Sequence, residues 1–213
     1  MRYSNHPLDE LLRRADMHLP SSRFILGITG PPGAGKSTLA KQLCEHIAHA
    51  RGENFCSYIP MDGFHLSNSE LERQGLRSAK GSPLTFDVTG YIKTLQRCHS
   101  EEGPIYVPDY CRELHEPVAA SLRVDPKSRM VVTEGNYLLF ASHGWQFVRT
   151  LLDECWFIDA EDDVLRNRLI ARQMNKGKSK QEAEAWFNAV DYRNIQAVKQ
   201  TLVIADVIVS DVF

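Results

Sequence analysis

The chain lacks any apolar run approaching the roughly 20 residues of a membrane-spanning helix, so no membrane partner is expected. Its opening stretch, MRYSNHPLDELLRRADMHLP, is polar and contains no signal-peptide apolar segment. Charge of one sign is not in excess: 25 basic against 27 acidic residues leave a net charge of −2. No broad basic field exists to gather nucleic acid, and any anion must be bound locally. Cysteine is scarce, with five residues and no CxxC pair. That excludes a disulfide scaffold and reads as reduced thiols in a cytoplasmic protein. Repeats and low-complexity tracts are absent as well. What remains is an ordinary globular composition, 43% hydrophobic and 24% charged, over 213 residues. One domain spanning 1–213 is the expectation.

Short apolar runs alternate with helical patterns. Arg23–Thr29, Phe55–Met61, Met130–Thr133, Cys155–Ile158 and Val207–Val209 read as buried strands. Helical spacing is predicted over 7–19, 37–50, 87–99 (with Asp87 as N-cap), 145–152, 162–175 (closed by Gly177) and 180–190. The alternation argues for an α/β fold, a parallel sheet of about five strands flanked by helices. Residues 105–124 break the alternation and read as a hairpin flap on the substrate side, while about 162–190 form a helical lid. Residues 75–85, rich in Gly, Ser and Pro, read as a loop.

The strongest chemical signal is Gly30-Pro31-Pro32-Gly33-Ala34-Gly35-Lys36-Ser37, followed by Thr38. It matches GxxxxGK[ST] in full, with an apolar strand before it and an amphipathic helix after it. The glycines let the backbone curl so that its N–H groups face phosphate oxygens. Lys36 supplies charge to the β- and γ-phosphates, and Ser37 a hydroxyl to Mg²⁺. A nucleoside triphosphate is therefore expected. Two acids fall at strand ends, where ligands of such sheets bind: Asp62 after SYIPM and Glu134 after MVVT. A phosphoryl-transfer site needs one carboxylate to take the acceptor's hydroxyl proton and often another near the metal. Asp62 is assigned to the first task, Glu134 to the second. Asp159 is a third strand-end acid for which a capping role serves as well. Arg168 and Arg172, four apart, share a helix face and could meet charge developing on the transferred group. His65, Tyr110, Arg112 and His115 are candidate acceptor contacts, and none has metal-ligand spacing.

Taken in order, GPPGAGKST, MDGFH (61–65), KGSPLTFD (80–87), VPDYCRELHEP (107–117) and VTEGNYLL (132–139) resemble one group of P-loop kinases: uridine kinase, phosphoribulokinase and bacterial pantothenate kinase. The series is most similar to the branch called nucleoside/nucleotide kinase-like or fructose-transport-system kinase-like, over about 24–209. The resemblance implies a P-loop NTPase fold and Mg²⁺- and ATP-dependent phosphorylation of a small-molecule hydroxyl on a nucleoside, sugar or pantothenate-like compound. It implies Asp62 as base, Glu134 near Mg²⁺, Arg168 with Arg172 in the lid, and acceptor contacts from Tyr110, Arg112 and His115. Uridine kinases carry Tyr-Asp-Phe-x-x-His in the flap, whereas this chain has Asp109-Tyr110-Cys111-Arg112-Glu113-Leu114-His115, with a different spacing to the histidine. Dimers are a common outcome for such folds.

Two rival classes share the phosphate loop. A GTPase-type switch would use Asp87-Val88-Thr89-Gly90 as DxxG, but 82–86 makes a poor buried strand before it. The base-reading NKxD is also missing, since Asn175-Lys176-Gly177-Lys178 has Lys in the final place. A nonenzymatic nucleotide or metabolite sensor would bind ATP and turn nothing over.

Overall fold

The computed structural model describes residues 2–4 and 23–210. The predicted helix over 7–19 lies outside them.

Six parallel strands form the central sheet: β1 (Arg2–Ser4), β2 (Phe24–Thr29), β3 (Cys56–Pro60), β6 (Met130–Gly135), β7 (Glu154–Asp159) and β8 (Val207–Ser210). Their order is β1-β8-β7-β2-β6-β3, every pairing parallel. The five predicted strands are all present, and β1 adds a sixth at the edge, beside β8. The remaining pair, β4 (Ile105–Cys111) and β5 (Glu116–Val124), makes a separate antiparallel hairpin, as expected of the flap. Its register shifts between Val107 and Asp109, where Pro108 has no N–H to give the ladder.

The helices are α1 (Lys36–Arg51), α2 (Asn68–Arg73), α3 (Val88–Ser100), α4 (Asp162–Met174), α5 (Lys180–Trp186) and α6 (Tyr192–Lys199). Alternation along β2 explains the layering. Phe24, Leu26 and Ile28 face α1 and α4, where Leu39, Leu43, Leu165 and Leu169 complete one apolar cluster. Ile25 faces the other side, packed with Tyr91, Leu95, Trp145 and Phe157. Both faces of the sheet are covered, as the near-continuous apolar strands require.

Two expectations change. Residues 145–152 are not one helix but two single 3₁₀ turns, Trp145–Phe147 and Arg149–Leu151. Trp145 is fully buried and its indole N–H donates to the Pro83 carbonyl at 3.0 Å, so tertiary packing overrides the helical spacing. The predicted 180–190 helix is α5 followed by a π-helical turn, Phe187–Asp191, that runs on into α6. Asp87 caps α3, its carboxylate accepting from the Gly90 N–H at 2.8 Å. That places Asp87-Val88-Thr89-Gly90 at a helix start and removes the switch reading of DxxG. Helix α2 has no counterpart in the predicted elements.

Candidate phosphoryl-transfer site

The chain leaves β2 at the carboxyl edge of the sheet and turns through Gly30 to Gly35 into α1. Gly30 adopts φ 147°, and a Cβ there would run into the Ile158 carbonyl of β7. The strand-to-loop exit thus needs glycine for both backbone and space. The N-terminus of α1 has no side-chain cap and no acid in its first turn. Its free N–H groups and positive dipole end open onto a cavity of about 370 Å³. Pro32, Gly33, Gly35, Lys36, Ser37 and Thr38 contribute to its wall. Lys36 is buried and donates to the Pro31 carbonyl at 2.9 Å. Burial pulls its ammonium down to about 8 against the attraction of Glu134 and Asp62, with Arg172 adding to the drop.

Glu134, next to last in β6, is also buried in this wall. One of its oxygens accepts from Ser37 Oγ at 3.0 Å and from Tyr58 OH at 2.9 Å. Burial raises its carboxyl above the usual range, and the Asp62 charge adds to this; Lys36, Tyr58 and Ser37 pull the other way. A buried carboxylate beside a hydroxyl is a pair of hard oxygen donors, the kind Mg²⁺ takes. The residues present therefore fit a metal–nucleotide complex: a cradle of uncapped N–H groups, an ammonium and an oxygen pair.

Asp62 enters the same cavity from the 3₁₀ turn Met61–Phe64, directly after β3. Its side chain is 47% exposed, unlike Glu134, and so open to a diffusing partner. The turn is held from both sides. The Asp62 carbonyl accepts from the His65 N–H at 3.2 Å and lies 2.8 Å from His65 Nδ1. A Cβ on Gly63 would overlap the Pro108 carbonyl, so glycine lets the turn sit against the hairpin bulge.

His65 is packed between the rings of Phe86 (4.0 Å) and Tyr110 (5.0 Å). Burial lowers its pKa, which favours the neutral ring. Neither His65 nor Tyr110 lines the cavity; they hold the flap on the Asp62 turn. His115 also lies outside, exposed at the hairpin turn, where its backbone carbonyl accepts from Lys80 Nζ at 2.6 Å. Of the four predicted acceptor contacts, only Arg112 reaches the cavity wall.

Arg168 and Arg172, expected in the lid, both line the cavity. Arg168 Nη1 donates to the Gly33 carbonyl at 3.1 Å, which seats α4 on the phosphate loop. Arg166, on the same helix, turns away to Glu184 (3.3 Å). Asp159 lies 3.9 Å from Lys199, an ion pair outside the cavity. Sequence reasoning missed Tyr58 and Asn136, the latter also in the wall. Tyr58 sits two residues before the strand end in SYIPM, on the β3 strand that pairs with β6; the sequence carries no further signal for it.

A phosphate loop at the turn after β2, with a parallel sheet and strand-end acids, defines a P-loop NTPase. Residues 26–187 match the family model described as an AAA domain. The YggC protein of Escherichia coli strain K12 is 36% identical over 90% of this chain and 79% of its own length. A Schizosaccharomyces pombe protein provisionally named uridine kinase C227.14 is 31% identical, over 94% of this chain and 88% of its own. Among solved structures, a Silicibacter sp. TM1040 protein provisionally named a fructose transport system kinase superposes with a TM-score of 0.87 at 29% identity, covering 96% of this chain and 99% of that one. The chain belongs to this AAA-domain family and is a P-loop kinase. It is an ATP-using phosphotransferase that acts on a small molecule. No helix among the described residues is long and apolar enough to cross a membrane.

Proposed function

We propose that this kinase moves the γ-phosphate of ATP to an alcohol hydroxyl of a nucleoside, sugar or pantothenate-like metabolite, with Asp62 as general base. The observation that carries this reading is the convergence of a half-exposed Asp62, a buried Glu134 and the phosphate loop on one cavity. Asp62 orients the acceptor hydroxyl in line with the γ-phosphate and takes its proton as the new P–O bond forms. Lys36 leaves the Pro31 carbonyl for the β- and γ-phosphates, and the backbone N–H groups of 33–38 hold their oxygens. Ser37 and Glu134 are the residues that would hold Mg²⁺, which when bound neutralises phosphate charge and orients the transferred group. Arg168 and Arg172 on α4 meet the charge on the equatorial oxygens and exclude water as α4 closes. The thiols suit a reducing compartment, the cytoplasm, and a homodimer suits the fold.

The test is ATP consumption with Mg²⁺ across nucleosides, sugars, sugar phosphates and pantothenate. Acceptor-dependent ADP release is expected. Asp62→Asn should keep its affinity for ATP and lose turnover by about 10²–10⁴-fold, the range of general-base catalysis. Near-wild-type turnover in that variant would remove Asp62 from the base role.

A further inference from the structure

The geometry points to an anionic acceptor: a small alcohol that also bears a carboxylate or phosphate, held at its charged end by Arg112 of the flap. This rests on the kinase reading of the same cavity and narrows its substrate class. The cations of the site divide into two sets. Lys36 and Arg168 belong to the phosphate loop, through their bonds to the Pro31 and Gly33 carbonyls. Arg112 and Arg172 line the cavity too, yet neither guanidinium has a hydrogen bond or ion pair among the described residues. Arg112 sits just beyond the β4 strand whose bulge packs on the Asp62 turn, so it stands on the acceptor's side of the cavity.

A third cation joins them. Lys176, just past the end of α4, has its ammonium pushed down by desolvation first and then by the charges of Arg172 and Arg112. Flap and lid therefore face each other with like charges. The carboxylate that opposes them is Asp191 in the π-helical turn, and one of its oxygens is buried with no hydrogen-bond partner. Arg112, Arg172 and Lys176 set against the single carboxylate of Asp191 leave an excess of positive charge across a closing gap, which is costly unless an anion fills it. Arginine recognises carboxylate and phosphate through paired N–H donors. A neutral nucleoside or sugar would bury those charges unmatched and is disfavoured for that reason.

The experiment compares acceptors in pairs that differ in charge: glycerate with glycerol, pantothenate with pantothenol, fructose 6-phosphate with fructose, ribulose 5-phosphate with ribulose. The expected result is acceptor-dependent ADP release from an anionic member, with kcat/KM ~100-fold above its neutral partner. Arg112→Gln should raise KM for that acceptor by ~10- to 100-fold while KM for ATP stays put, and Arg112→Lys should recover part of the loss. Which anionic members react separates carboxylate from phosphate. Equal use of neutral and charged members, or an Arg112→Gln effect confined to ATP, overturns the inference. The same pairs are titrated calorimetrically into the protein saturated with Mg²⁺ and ADP, so that the outcome does not depend on turnover. Anion binding that is lost in Arg112→Gln upholds the inference even where no acceptor reacts; no binding by any anionic member sinks it. ADP release that needs no acceptor, or that survives in Asp62→Asn, is instead a failure of the kinase reading.

Discussion

The two ends of the cavity are built differently. At the nucleotide end, Lys36 and Glu134 are buried, and Ser37, Tyr58 and the Pro31 carbonyl satisfy them through bonds of 2.9–3.0 Å. At the end we propose takes the acceptor, Asp62 and Arg112 are open to solvent and belong to a turn and a hairpin rather than to the central sheet. The first end is ordered before any ligand arrives, so that in the proposed reading Lys36 has only to exchange the Pro31 carbonyl for phosphate; the desolvation cost of that order shows in the lowered Lys36 and raised Glu134. The second end trades order for access, as a part that must admit a substrate and close on it does. Substitutions at the nucleotide end should therefore disturb ATP binding and rate together, whereas those at the acceptor end should separate them.

Lys36→Ala gives the largest effect at the nucleotide end. It removes the ammonium that meets the phosphates and also the cation nearest Glu134, whose carboxyl should then rise further. A loss of about 10²–10³-fold in kcat/KM is expected, the scale for deleting one preorganised donor at developing charge. ATP affinity should fall as well. Set beside Asp62→Asn, this breaks the comparison cleanly if it fails: unchanged ATP binding would mean that the loop does not hold the phosphates.

The same division governs what could be read without coordinates. The phosphate loop was legible because its chemistry is local in the chain: eight consecutive residues between a strand and a helix. Asp62 and Glu134 were legible from position alone, each ending an apolar run. The contact of Tyr58 with Glu134 spans 76 positions and is created by the pairing of β3 with β6, which no local pattern encodes. His65, Tyr110 and His115 were recognised as belonging together, but their polar character suggested contacts to substrate. Instead, ring stacking of Tyr110 on His65 ties the flap to the Asp62 turn, and the His115 carbonyl ties it to Lys80. The π-helical turn that presents Asp191 was invisible because a single five-residue turn is too short for spacing to distinguish it from the helices on either side. The 3₁₀ turns at Trp145 were misread for the opposite reason, since the spacing was helical and the buried indole was not anticipated.

A pH profile sharpens the comparison with an intermediate effect. In the proposed reading the ammonium form of Lys36 binds phosphate, and burial brings its pKa down from 10.5 to about 8 in the ligand-free protein. Above pH 8 the group is increasingly neutral before ATP arrives. Consequently kcat/KM for ATP should fall as pH rises through about 8, approaching tenfold per unit. Once bound, the phosphates hold the proton on, so kcat at saturating ATP should stay level over the same range. Parallel decline of both parameters would move the ionisation to the acceptor end.

Tyr58→Phe is the smallest and most specific test. The phenol donates to the Glu134 oxygen that Ser37 also reaches, and it favours the ionised carboxylate against burial. Without it, Glu134 keeps one side-chain donor fewer and its already raised carboxyl rises further. A raised carboxyl is protonated, and so a poor metal ligand, over a wider range at the acid end. At neutral pH the net loss of one hydrogen bond, about 1 kcal/mol, predicts a roughly fivefold drop in kcat/KM for ATP. The drop should deepen as pH falls and lessen with added Mg²⁺, because the acid limb of the profile moves to higher pH. Acceptor KM should not move, since Tyr58 lies behind Glu134 and outside the cavity wall. An unmoved acid limb would mean that the ionisation of Glu134 does not limit metal binding, and would leave Tyr58 a packing role in β3 alone.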